Sequence, residues 1–179
     1  MHGDLSQNYF ELFGQPVSFQ IDDELLARRY RELQRVAHPD RFANASDRDR
    51  RLAMQQASLI NEAYQTLRSP LLRGRYLLLL AGVKFNDEHT TTQDTEFLLD
   101  QMELREALAM IKQAPEPLVN LKGVLNDITS RSEVLYAGLV NALETAQWNE
   151  AKTILNKLQF FERLKQECDD VESQLLDAV

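Results

Sequence analysis

Apolar side chains recur at helical spacing along almost the whole chain, and Gly and Pro number only six and five. That pattern predicts an all-α protein. Tyr9 to Phe13 reads as one short helical turn closed by Gly14 and Pro16. Asp22 is an N-cap for a helix over Asp23–Ala37, whose Leu26, Tyr30, Leu33 and Ala37 share a face at about 100° per residue. His38-Pro39-Asp40 then makes a corner, because proline has no amide hydrogen and keeps the residue before it out of the α region. The next helix starts at Ser46 or Asp47, with Asp49 in its first turn, and runs to Leu67. Its stripe is Ala53, Ala57, Ile60, Tyr64 and Leu67. Two helices joined by so short a corner lie antiparallel.

Ser69-Pro70 supplies the N-cap and first residue of a helix over Leu71–Ala81, stopped by Gly82. This helix is apolar nearly all round, so burial between two lobes is expected. Asp94 caps a helix over Thr95–Gln113, ended by Ala114-Pro115 and Pro117. A long helix follows over Leu118–Leu143. Gln147-Trp148-Asn149 reads as a turn, and a last helix covers Glu150–Leu176. Three helices with short links predict an antiparallel three-helix bundle.

Charge divides the chain where the pattern does. Residues 1–93 hold 12 acidic and 12 basic side chains, whereas residues 94–179 hold 16 and 8 and so carry the whole net charge of −8. Two lobes with different partners follow, with the boundary near Asn86 to Gln93. A net charge of −8 argues against general nucleic-acid binding. The longest apolar run, Tyr76 to Ala81, is far too short to span a bilayer, and no apolar run follows a basic start. The expectation is a soluble, cytoplasmic protein without a membrane partner.

Candidate chemistry is sparse. His2, His38 and His89 are the only histidines, none at i, i+4 to another, and Cys168 is the only cysteine. No disulfide, zinc site or other metal site is expected. His38 beside Asp40 offers a base and an orienter, but Pro39 points the two side chains independently. There is no Gly-rich phosphate loop and no nucleophile elbow. The reading is no enzyme and no cofactor. Arg28, Arg31 and Arg35 lie opposite the apolar stripe of their helix and run into the His-Pro-Asp corner. By themselves they are a solvated face or a docking face.

Arg28-Arg29-Tyr30-Arg31-Glu32-Leu33, His38-Pro39-Asp40-Arg41-Phe42 and Asn61-Glu62-Ala63-Tyr64-Gln65-Thr66-Leu67-Arg68-Ser69-Pro70 together resemble a J domain, over about residues 8–75. The resemblance implies docking on a DnaK-type chaperone and stimulation of its ATPase, through His38, Pro39, Asp40, Arg28, Arg31 and Arg35. There is no Gly/Phe-rich linker and no CxxCxGxG repeat. Instead Tyr76-Leu77-Leu78-Leu79-Leu80, the stretch Asp94 to Glu106, and Lys157-Leu158-Gln159-Phe160 are similar to the HscB family of iron–sulfur co-chaperones. The likeness runs end to end, from Tyr9-Phe10 and Leu12-Phe13-Gly14 onward. It is to the bacterial type, since the extra cysteine-rich N-terminal piece of eukaryotic relatives is not found.

That resemblance implies an L-shaped molecule with a J domain at 1–75, a connecting helix end and linker at 76–93, and a scaffold-binding three-helix bundle at 94–179. Its partners would be an HscA-type chaperone and an IscU-type cluster scaffold. One feature of the bundle is visible without it. Counting about 100° per residue, Phe97, Gln101, Leu104, Leu108 and Ile111 fall within roughly 40° of one line, and Leu98, Leu99 and Met102 do not. These three, beside Glu103 and Glu106, either pack on the N-terminal lobe or form a partner site. The resemblance assigns scaffold binding to Leu98, Leu99, Met102, Glu103, Glu106 and Phe160. Phe160 sits at the margin of the last helix's stripe, Ile154, Leu158, Phe161 and Cys168, so a core role is open to it. Cys168 reads as a buried helix residue, since one thiolate does not make a cluster site. The rival to a co-chaperone is a structural helical adaptor with a J-like hairpin and another client.

Overall fold

The computed structural model describes residues 8–38, 45–85 and 94–177. The chain divides into two compact units, Met1–Gly82 and Val83–Val179, and every regular element among the described residues is helical.

The first unit contains α1 (Tyr9–Leu12), α2 (Asp23–Ala37), α3 (Asp47–Arg68) and α4 (Pro70–Leu80). Each start is capped from the sequence. Asn8, Asp22, Ser46 and Ser69 each accept a hydrogen bond from the backbone N–H three residues on. α2 ends at Ala37, and His38 is already extended at ψ 126°, as the following proline requires. Gly82, at φ +79°, supplies the left-handed turn that stops α4.

Phe10, Phe13, Leu26, Ala37, Ile60, Ala63 and Leu67 form the core of this unit. The Asn61-Glu62-Ala63-Tyr64 run stitches it together. Asn61 Oδ1 accepts from the Tyr30 hydroxyl at 2.9 Å and from Gln34 Nε2. Glu62 accepts from the Tyr9 hydroxyl at 2.9 Å. Ala63 is fully buried, and Tyr64 stacks on Tyr30 with ring centroids 3.9 Å apart. Tyr76 of α4 stacks on Tyr9 at 4.4 Å, and its hydroxyl accepts from the Tyr9 amide at 3.0 Å. α4 is not apolar-buried on every side. It packs through Leu78, which is fully buried, while Leu72, Leu79 and Leu80 are exposed, because a single helix in a small unit finds neighbours for part of its surface only.

The second unit contains α5 (Thr95–Met110), one 3-10 turn (Ile111–Gln113), α6 (Pro117–Glu144) and α7 (Trp148–Asp177). The helix expected to run to Gln113 tightens after Met110, as the chain leaves α geometry ahead of Pro115. The turn expected at Gln147 to Asn149 lies earlier, and α7 begins at Trp148. Gln147 N–H bonds Ala142 O at 2.8 Å and Ala146 N–H bonds Leu143 O at 3.3 Å around Ala146 at φ +54°. This is a Schellman closure with alanine where glycine is usual, so the sequence carries no glycine to mark it. The α7 core positions are Ala151, Leu155, Leu158, Phe161, Leu164 and Cys168. Ile154, expected in the stripe, is only half-buried, and Leu155 takes its place.

Burial pushes the Tyr9 phenol up to about 12, and the hydrogen bond to Glu62 adds to the shift. The neutral phenol is the folded form. Its stabilisation is complete below the free tyrosine value near 10 and is lost as pH rises from about 10 to about 12. Melts of the protein across that window should fall more steeply than those of Tyr9→Phe. Parallel curves would show that Tyr9 does not hold this unit together.

Candidate functional site

In the first unit α2 presents a basic face. Arg28, Arg31 and Arg35 are exposed and fall within an arc of about 60° opposite the buried Leu26 and Ala37. Arg29 lies outside that arc and pairs with Glu32 at 2.9 Å. His38 is exposed at the end of the helix. Pro39 and Asp40 lie outside the described residues. Val36, 63 % exposed in the last turn of α2, was not singled out by sequence; its only signal is an apolar side chain off the helix's stripe.

In the second unit α5 is held in one rotational setting. Phe97, Leu104, Leu108 and the following Ile111 face the bundle core, with Gln101 half-buried on the same line. Phe97 packs edge-on against Phe160 and Phe161 of α7, at centroid distances of 5.7 and 5.9 Å. Ion pairs clamp both flanks. Asp94, the N-cap, accepts from Phe97 N–H at 3.0 Å and from Lys157 Nζ of α7 at 2.5 Å. The Lys157 bond first, and the Phe97 amide second, hold its carboxyl below the usual carboxylate range. On the other flank Arg131 of α6 reaches Asp100 at 2.8 Å and Asp127 of its own helix at 3.0 Å. Those two bonds push the guanidinium further toward its charged form.

With one face so committed, α5 turns another to water. Leu98, Leu99 and Met102 are 41 %, 56 % and 68 % exposed, and Glu103 and Glu106 are exposed beside them. Phe160 is half-buried against the core, so it has both a core role and an accessible edge. The Arg105 guanidinium lies 5.4 Å from its ring centroid. Arg105 and Leu98 sit only about 20° apart around α5, so the arginine joins Phe160 to the apolar trio. Sequence reading missed Arg105, because a single arginine on an exposed helix face carries no signal until the ring across from it is known.

Cys168 is fully buried, and burial, ahead of Asp169 and Glu167, pushes its thiol up to about 11. A buried neutral thiol is a packing residue. Among the described residues, no three His, Cys, Asp or Glu side chains are grouped to hold a metal ion, and no helix is long and apolar enough to cross a membrane. His2 and His89 lie outside the described residues.

A helical hairpin with a basic face ending at His-Pro-Asp, followed by a separate helical bundle with an exposed apolar face, defines the class of J-domain co-chaperones. Comparison with known proteins agrees. The family model described as the HSCB C-terminal oligomerisation domain matches residues 93–169. A co-chaperone protein HscB homolog of Vibrio cholerae is 46 % identical over 169 residues, covering 94 % of this chain and 99 % of that one. The solved chaperone HscB from Vibrio cholerae matches with a TM-score of 0.87 at 43 % identity, over 94 % of this chain and 99 % of that one. Human co-chaperone HscB matches with a TM-score of 0.88 at 30 % identity, over 95 % and 84 %. The chain belongs to the HscB family of co-chaperones, which act in iron–sulfur cluster assembly.

The two faces of α5 make opposite predictions for stability. Phe97→Ala opens a cavity in the core and should destabilise the second unit by about 3–5 kcal/mol. Leu99→Ala removes an exposed side chain and should change stability by less than about 0.5 kcal/mol. Denaturant melts followed by circular dichroism separate the two cases, and equal losses would contradict the orientation of α5.

Proposed function

We propose that this co-chaperone carries an IscU-type iron–sulfur scaffold to an HscA-type, DnaK-like chaperone and stimulates that chaperone's ATP hydrolysis. The observation that carries the reading is the exposed trio Leu98, Leu99 and Met102 on a helix whose other face is fully committed to its own core. Apolar side chains left in water at one place are accounted for by a partner that covers them. Phe160, through Arg105, supplies an aromatic edge beside them, and Glu103 and Glu106 supply a charged rim. Aromatic and apolar anchors within a polar rim are the usual anatomy of a binding interface.

The chaperone contact falls to the first unit. Arg28, Arg31 and Arg35, with His38, Pro39 and Asp40, meet an acidic patch of the chaperone. Complementary charge raises the association rate, and salt screens it. The protein performs no reaction of its own. It favours hydrolysis by binding one conformation of the chaperone more tightly than the other.

Two variants test the two halves separately. Leu98→Ala combined with Leu99→Ala should melt close to the parent protein and lose scaffold affinity by about 1–3 kcal/mol per residue in calorimetric titration. It should keep the stimulation of the chaperone alone. Asp40→Ala should lose that stimulation in a steady-state ATPase assay and keep scaffold binding. A large fall in melting temperature with scaffold affinity intact would reject the client face. An Asp40→Ala protein that stimulates like the parent would reject the chaperone role of the corner. Loss of neither activity would leave the structural-adaptor reading in its place.

A further inference from the structure

A groove of about 540 Å³ opens between the second half of α5 and the first half of α6. Glu103, Ala107 and Met110 line it from α5, and Val119 and Gly123 line it from α6. Met110 and Val119 stand at its mouth, 60 % and 64 % exposed. Gly123 lies inside a helix of 28 residues, where glycine is the poorest helix former after proline. The fold does not call for it. Its φ is not in the left-handed region, and a Cβ built there meets nothing within 4 Å. A missing side chain at that point leaves room for something from outside the chain.

Two features say what enters. Glu103 belongs both to the groove wall and to the outer face of α5, next to Met102, so the groove borders the apolar trio. Arg131, the cation of the wall, is already engaged by Asp100 and Asp127, which leaves the Glu103 carboxylate to set the sign of the mouth. We propose that the scaffold client of Leu98, Leu99 and Met102 also inserts an apolar side chain, flanked by lysine or arginine, into the α5–α6 groove over Gly123. This rests on the client reading above and extends it from one helix face to a two-helix surface.

Gly123→Leu fills the groove from within. It relieves a poor helix residue, and its Cβ meets nothing within 4 Å, so its melting temperature should equal or exceed the parent's. Titration with a purified IscU-type scaffold should show affinity weakened roughly tenfold or more, as for a blocked anchor pocket. Met110→Ala with Val119→Ala trims the mouth and should weaken the same binding several-fold with an unchanged melt. Stimulation of the chaperone without scaffold should stay at the parent level in both. Parent-like scaffold affinity in both variants, with Leu98→Ala, Leu99→Ala still defective, overturns the groove and leaves the client face standing. Parent-like affinity in all three variants overturns both. Sedimentation of the protein alone gives the last outcome: a change in self-association by Gly123→Leu, with scaffold affinity intact, would assign the groove to a second copy of the chain and overturn the proposal.

Discussion

Phe97 sets the rotation of α5, and the outer surface of the bundle follows from it. Its ring is wedged edge-on between Phe160 and Phe161, and Lys157 lies over it at 5.1 Å while holding Asp94. Once that ring is seated, helical geometry leaves no choice for its neighbours. Leu98, one residue on, is turned by about 100°, and Leu99 and Met102 are turned off the core-facing line as well. The ion pairs at the flanks are partly buried. Their effect is to oppose rotation, since each ties α5 to a different helix.

Exposure of the trio is thus a consequence of a core contact, not a defect of packing. A helix of this length in a three-helix bundle needs one apolar stripe, and α5 carries more apolar surface than that stripe can hide. The surplus lies on one side, beside an aromatic edge and two carboxylates. The first unit behaves differently. There the stripe of α2 packs on the core, and a row of guanidinium groups faces water beside Val36. In the proposed function the apolar face holds a client through desolvation, and the basic face meets a partner through long-range charge.

The Asn61-Glu62-Ala63-Tyr64 run shows how a signature can be read before its work is known. Its likeness to a J domain was plain in the chain. What it does physically is to join α1, α2 and α3 through Tyr9, Tyr30 and Gln34, contacts that exist only in the folded chain. The groove over Gly123 is a similar case. In sequence it is one glycine in a long helical pattern; in the fold that glycine shares a groove with Met110 of the preceding helix.

The sequence by itself determined what depends on near neighbours. Caps at Asp22, Ser46, Ser69 and Asp94, the stop at Gly82, and the core stripes of α2, α3 and α5 all follow from interactions within a few residues. The same local periodicity showed that Leu98, Leu99 and Met102 belong to no stripe. Tertiary structure alone decided the rest. It chose Leu155 over Ile154 on α7, because which of two adjacent apolar residues is covered depends on the helix that faces them. It allowed Ala146 a left-handed turn, since closure between α6 and α7 outweighs the local strain. It brought Arg105 to Phe160 and Met110 to Gly123 across gaps in the chain, which no local pattern encodes. And it settled that the apolar trio faces water, because exposure depends on what the rest of the chain does not cover.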